Sequence, residues 1–135
     1  MNISGAVSGA LNPESKEARK HAKQYYKSVR NMKTDIISIA NNLGMNETDI
    51  QKIKNYLFID KHELFNGFKQ FDESYHIAQS WQRLIDGKNI KEQDIILIKH
   101  ELEEMEFIKN GMTQTEAHIE VTKRFNYYEA SEKGV

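Results

Sequence analysis

Residues 91–118 read KEQDIILIKHELEEMEFIKNGMTQTEAH, and the spacing within this stretch decides the fold. At about 100° per residue, Lys99, Glu103 and Glu106 share one narrow sector that must face water. Leu97, Met105 and Ile108 lie on the opposite side, which predicts an amphipathic helix from about Lys91 to Asn110. Gly111 is a natural stop for it. Thr113 and Glu116 then form a capping box that starts another helix, expected to run to about Glu129 with Ala117, Val121, Phe125 and Tyr128 inward. The Gly-Met turn between the two is tight, so they should pack antiparallel.

The same reading extends outward. Pro13 follows Asn12, a good N-cap, and predicts a first helix to about Lys33 with Ala18, Ala22, Tyr25, Val29 and Met32 inward. A short helix from Asp35 to Leu43 should end at Gly44. Asn46 with Asp49 caps a third, carrying Ile50, Ile53, Leu57 and Phe58. Residues Glu73 to Asp86 form a fourth, with Ile77, Trp81 and Leu84 buried and Gly87 at its end. Between the third and fourth, Ile59–Asp72 holds Phe65, Phe68 and Phe71 and reads as an ordered loop or a short hairpin. The expected architecture is mainly α: a compact bundle of about six helices with that aromatic loop inserted. Residues 1–12 read as a linker, 13–129 as one helical domain and 130–135 as a frayed tail.

Length and composition bound the rest. A chain of 135 residues fits one domain with a real core. Nineteen basic and 20 acidic residues give a net charge of −1, which speaks against a dedicated nucleic-acid coat. There is no cysteine, so thiolate nucleophiles and cysteine-type zinc sites are excluded. Any bound metal must be held by histidine and carboxylate. No run of about 18 apolar residues is present, so no membrane span is expected.

The helix at 91–110 also carries the candidate site. Glu101 and Glu104 fall on its inner side, and His100 lies between Glu104 and Phe107. An unpartnered buried carboxylate costs several kcal/mol, so two of them beside a histidine imply something positive among them. His100 and Glu104 are one turn apart on the same face. His118, one turn into the following helix, comes within reach through the antiparallel pairing. The group reads as a divalent-metal site (Zn, Mn or Mg), as a His/Glu acid–base pair, or as a buried salt-bridge network. It is not the His-Glu-x-x-His zinc-peptidase signature, because Glu104 stands where the second histidine would be. Converging atoms that line an open cleft would mark catalysis, whereas the same atoms sealed beneath Phe107 and Phe125 would mark a structural network. His62, beside Asp60 and Glu63, reads as a further ligand, a base or an exposed loop histidine. Trp81 reads as core and Arg83 as a solvated charge.

Several strings carry a family resemblance: Asn12-Pro-Glu-Ser-Lys-Glu-Ala, Ile53-Lys-Asn-Tyr-Leu-Phe, Ala78-Gln-Ser-Trp-Gln-Arg-Leu-Ile-Asp-Gly, Leu97-Ile-Lys-His-Glu, and Glu116-Ala-His followed by Phe125-Asn-Tyr. Together they resemble a C-terminal domain shared by Gram-positive LXG-type polymorphic toxins and phage minor head proteins, over nearly the whole chain from about residue 4. Helix five is more acidic here than that pattern. The resemblance implies that His62, Trp81, Arg83, His100, Glu101, Glu104 and His118 sit at signature positions. It implies a toxin-like effector, attached to an upstream module and secreted or phage-associated, with nucleic acid as its substrate and a cognate immunity protein as its partner. In that metal-dependent or His/Glu acid–base hydrolase His100, Glu104 and His118, with His62, hold a divalent ion or position the acid and base, Glu101 activates water and Arg83 steadies negative charge. The alternatives are a non-enzymatic phage head-associated module, partnered by a phage structural protein, and an atypical metallopeptidase.

Overall fold

The structure, a computed structural model, describes residues 12–133. The linker assigned to the N-terminus lies, apart from Asn12, outside the described residues, as do positions 134 and 135. In chain order the elements are α1 (Lys16–Asn31), α2 (Asp35–Leu43), α3 (Glu47–Lys54), β1 (His62–Leu64), β2 (Gly67–Lys69), α4 (Tyr75–Asp86), α5 (Glu92–Lys109), α6 (Gln114–Thr122) and α7 (Tyr127–Lys133). The protein is mainly α. The aromatic insertion is a two-stranded antiparallel hairpin, with His62 opposite Lys69 and Leu64 opposite Gly67. Among the described residues no helix is long and apolar enough to cross a membrane.

Helix boundaries follow local hydrogen-bond chemistry. α1 begins three residues later than Pro13. The Asn12 side chain accepts from the Glu14 N–H at 2.9 Å, and Ser15 is the actual N-cap, accepting from the Ala18 N–H at 3.1 Å. α4 ends at Gly87, whose φ of 68° is left-handed backbone that disfavours a side chain. A Cβ there would also come within 2.8 Å of the Asn42 side chain. That amide donates to the Leu84 and Ile85 carbonyls at 2.8 and 3.0 Å, so α2 caps the end of α4.

Trp81 sits at the centre of the core, wholly buried and edge-to-face against Phe58 with ring centroids 5.1 Å apart. Tyr25, Ile39, Ile53 and Leu97 bring α1, α2, α3 and α5 into the same core. Each such side chain contributes roughly 1.5–3 kcal/mol by leaving water. α5 packs against α3, α4, α6 and α7, and so runs through the middle of the molecule.

Two departures from regular periodicity shape the site. After α3 the chain continues in a π-helical turn, Asn55–Ile59, closed by the Asp60 N–H on the Asn55 carbonyl at 2.8 Å. The wider turn lets Tyr56, Leu57 and Phe58 all be buried in succession, which a regular helix on a flat core does not do. The last expected helix is two helices. Thr122 donates back to the His118 carbonyl at 2.6 Å, and α6 ends there. Asn126 then accepts from the Glu129 N–H at 2.9 Å and opens α7. α7 carries regular structure to Lys133, and Ser131 is wholly buried, so the segment expected to fray is a packed helix as far as it is described.

Candidate metal centre

Of the seven buried residues of α5, five are polar: Gln93, Asp94, His100, Glu101 and Glu104. A helix at the centre of a small domain therefore takes a polar stripe into the interior, and each group on it needs a partner.

Asp94 has one. Arg83 grips it with Nε on Oδ2 and Nη2 on Oδ1, both at 2.8 Å. Arg83 is buried, contrary to its expected place on the solvated side of α4, because this fork neutralises it. Its charge is committed to Asp94, and the structure does not bring it into the histidine group.

Further along α5, His100 Nδ1 lies 2.7 Å from the Phe125 carbonyl oxygen. A carbonyl oxygen only accepts, so Nδ1 carries the hydrogen. The break between α6 and α7 is what frees that carbonyl. His100 Nε2 then points at Glu104 Oε1 at 3.0 Å and at His118 Nδ1 at 3.3 Å. His118 Nδ1 is itself 2.9 Å from the same Glu104 oxygen. The other oxygen, Oε2, accepts a short hydrogen bond from the Tyr56 hydroxyl, delivered by the π-helical turn.

Three possible ligand atoms, His100 Nε2, Glu104 Oε1 and His118 Nδ1, thus form a small triangle around one point, and this His100–Glu104–His118 group has the makings of a metal site. Edges of 2.9, 3.0 and 3.3 Å are hydrogen-bond separations, and they lie close to the roughly 3.0–3.4 Å between neighbouring ligands that each stand about 2.1 Å from a single ion. The outer partners fit as well. An imidazole that binds a metal commonly donates its other N–H to a carbonyl, as His100 does, and a ligating carboxylate is commonly held by a hydroxyl, as Glu104 is. Among the described residues the group supplies three donors, and its outermost member, His118, has a half-exposed side chain.

The electrostatics are uneven. Burial favours a neutral Glu104, but hydrogen bonds from His100, His118 and Tyr56 outweigh it and hold the carboxyl down to about 2. Glu101 has no such help. Burial, and then the charge of Glu104, push it up to about 8, against a weaker pull from His100. Its Oε2 is buried with no hydrogen-bond partner. For His100 burial lowers the pKa, yet the bond to Glu104 and the nearby Glu101 leave it raised.

Glu101, Glu104 and His118 all line one open cleft of about 360 Å³. Glu101, Glu104 and His118 are therefore not sealed beneath Phe107 and Phe125, whereas His100 is buried behind them against the Phe125 carbonyl. His62 is not among the three donors. Its Nε2 donates to the Tyr56 carbonyl at 2.8 Å, and its ring stacks on Phe71 with centroids 4.2 Å apart. It supports Tyr56, which in turn supports Glu104. Tyr56 escaped the sequence reading because its position is set by the π-helical turn, for which no residue pattern was available. The break that exposes the Phe125 carbonyl did leave a signal: Asn126 followed three residues later by Glu129. Comparison of the chain with family models, curated proteins and solved structures finds no match.

Proposed function

We propose that this domain is a divalent-metal hydrolase with His100, Glu104 and His118 as its ligands and Glu101 as its proton-handling group. The observation that carries the reading is the convergence of His100 Nε2, Glu104 Oε1 and His118 Nδ1 on one point. With Nδ1–H committed to Phe125, the neutral form of His100 turns its Nε2 lone pair toward a carboxylate oxygen and a second imidazole nitrogen. A cation at that point satisfies all three. Two histidines and one glutamate with room for a further ligand match the donor set of catalytic zinc, with manganese as the alternative. When bound, such an ion lowers the pKa of a water and polarises the bond to be broken.

The chain's own residues do the rest. Tyr56 and the Phe125 carbonyl fix the orientation of Glu104 and His100. Glu101, whose partnerless Oε2 is buried beside the cleft, holds or releases a proton next to the ligand group. The effector setting, with an upstream module, comes from the resemblance of sequence strings. Growth arrest on expression, relieved by Glu101→Ala, is its test.

The competing reading is an imidazolium–carboxylate network without metal, which the raised pKa of His100 favours. Metal loading separates the two. After incubation with zinc or manganese and removal of free ion, elemental analysis should give one equivalent per chain, and none in His118→Ala or Glu104→Gln. His118 is exposed, so its loss leaves the fold intact. Failure of the wild-type chain to retain any divalent ion would sink the proposal.

A further inference from the structure

We infer that the cleft takes an uncharged carbonyl compound, an ester or amide bearing an apolar group, rather than a phosphodiester; this rests on the hydrolase reading above. Beyond Glu101, Glu104 and His118 the apolar part of the lining is Leu57, Leu64, Phe71 and Ile77, set beside the uncharged polar Asn66, Gln114 and Thr115. At the mouth stands Phe65, 99% exposed at the turn of the hairpin. An aromatic ring left in water at the rim of an apolar cleft gains contact area only when something apolar lies against it. The volume of about 360 Å³ is at the small end of ligand pockets and suits one such group.

Charge argues in the same direction. Among the described residues Lys69 is the one lysine or arginine lining the cleft, and it is 3.1 Å from Asp72, which lines it too. The two buried bases are committed elsewhere: Arg83 to Asp94, and Lys54 to Asp35 at 3.0 Å. Nothing here resembles the forked arginine or lysine cluster that holds phosphate oxygens. In hydrolysis of the inferred substrate the oxygen of water bonds to the carbonyl carbon and the carbon–oxygen or carbon–nitrogen bond breaks. The departing atom takes the proton that the water gives up.

Hydroxamates, which present a carbonyl group to a metal, test this by binding. Calorimetry on the zinc-loaded full chain should show affinity rising roughly three- to fourfold per added methylene from acetohydroxamate to octanohydroxamate. Phe65→Ser should flatten the series, and bis(4-nitrophenyl) phosphate should bind more weakly than octanohydroxamate. A flat series on chain that holds zinc overturns the inference and leaves the metal reading standing. Tighter binding of the phosphodiester overturns it in favour of a nucleic-acid substrate. Amide NMR of the metal-free chain separates the remaining case. Shifts at Leu64 and Phe65 with octanohydroxamate support the apolar cleft even where no zinc is retained, and no shift in either form overturns it.

Discussion

Two buried ionic groups in this domain are built on opposite terms. In the first, Asp35 of α2 receives Lys54 Nζ and the Ile36 N–H on one oxygen, each at 3.0 Å, and the Trp81 indole on the other at 3.2 Å. Lys54 also donates to the Met32 carbonyl at 3.0 Å. Charges balance, both carboxylate oxygens are bonded, and the group is closed to water. In the second, His100 Nε2, Glu104 Oε1 and His118 Nδ1 crowd within 3.3 Å of one another, Glu101 Oε2 has no partner, and Glu101, Glu104 and His118 open to a cleft. A folded chain tolerates unsatisfied polar atoms reluctantly, because each costs about 1–3 kcal/mol. One such atom, Glu101 Oε2, stands beside the one open histidine–carboxylate triangle among the described residues, and the closed group has no counterpart to it.

The contrast can be broken most sharply at the closed group. Asp35→Ala should strand Lys54 without a counter-charge and destabilise the domain by about 3–5 kcal/mol, read by denaturant unfolding. An effect below about 1 kcal/mol would mean the two groups are not the different objects described here.

The next expectation concerns pH in the metal-free protein. Unfolded Glu101 ionises from its ordinary 4.5, while folded Glu101 keeps its proton to about 8, so ionisation penalises the folded state increasingly as pH rises through that window. The raised pKa of His100 works the same way: its contribution is complete below 6.5 and fades as pH rises through the folded value. Glu104, held near 2, contributes above 4.5 and loses that contribution only as pH falls toward 2. Stability should therefore be greatest near pH 5 and lower at pH 8, by on the order of a few kcal/mol. Glu101→Gln should remove most of the slope in unfolding free energy against pH. A variant with the wild-type slope would show that Glu101 is not the unpaired group.

Smaller effects sharpen the roles around the triangle. Tyr56→Phe removes the hydroxyl on Glu104 and should weaken zinc binding about 10- to 100-fold, measured by competition with a chromophoric chelator. Unchanged affinity would show that the π-helical turn does not position the ligand. His62→Ala touches only the support of Tyr56, so its effect should stay below about tenfold. A loss as large as that of His118→Ala would return His62 to the ligand set.

Much of this was legible in the residues. Lys99, Glu103 and Glu106 on one side of α5 forced His100, Glu101 and Glu104 inward, because helical periodicity does not allow both sets to face water. The Thr113–Glu116 capping box likewise fixed the start of α6, and both of its reciprocal bonds are present. Arg83 was harder. Its position on α4 looks polar by composition, and only the approach of Asp94 from another helix makes burial tolerable.

The amino-acid sequence by itself determined a mainly helical domain, its turns, the inward placement of three ionisable groups on α5 and the absence of thiol chemistry. These follow from local rules of periodicity, capping and composition. Tertiary structure alone decided which hydrogen bonds those groups make. The π-helical turn brings Tyr56 to Glu104, the break before α7 turns the Phe125 carbonyl to His100, and the hairpin sets Phe65 at the mouth of the cleft. The physical reason is that direction within a cluster depends on side chains and carbonyls distant in the chain, and a shift of one residue in register changes which atom arrives.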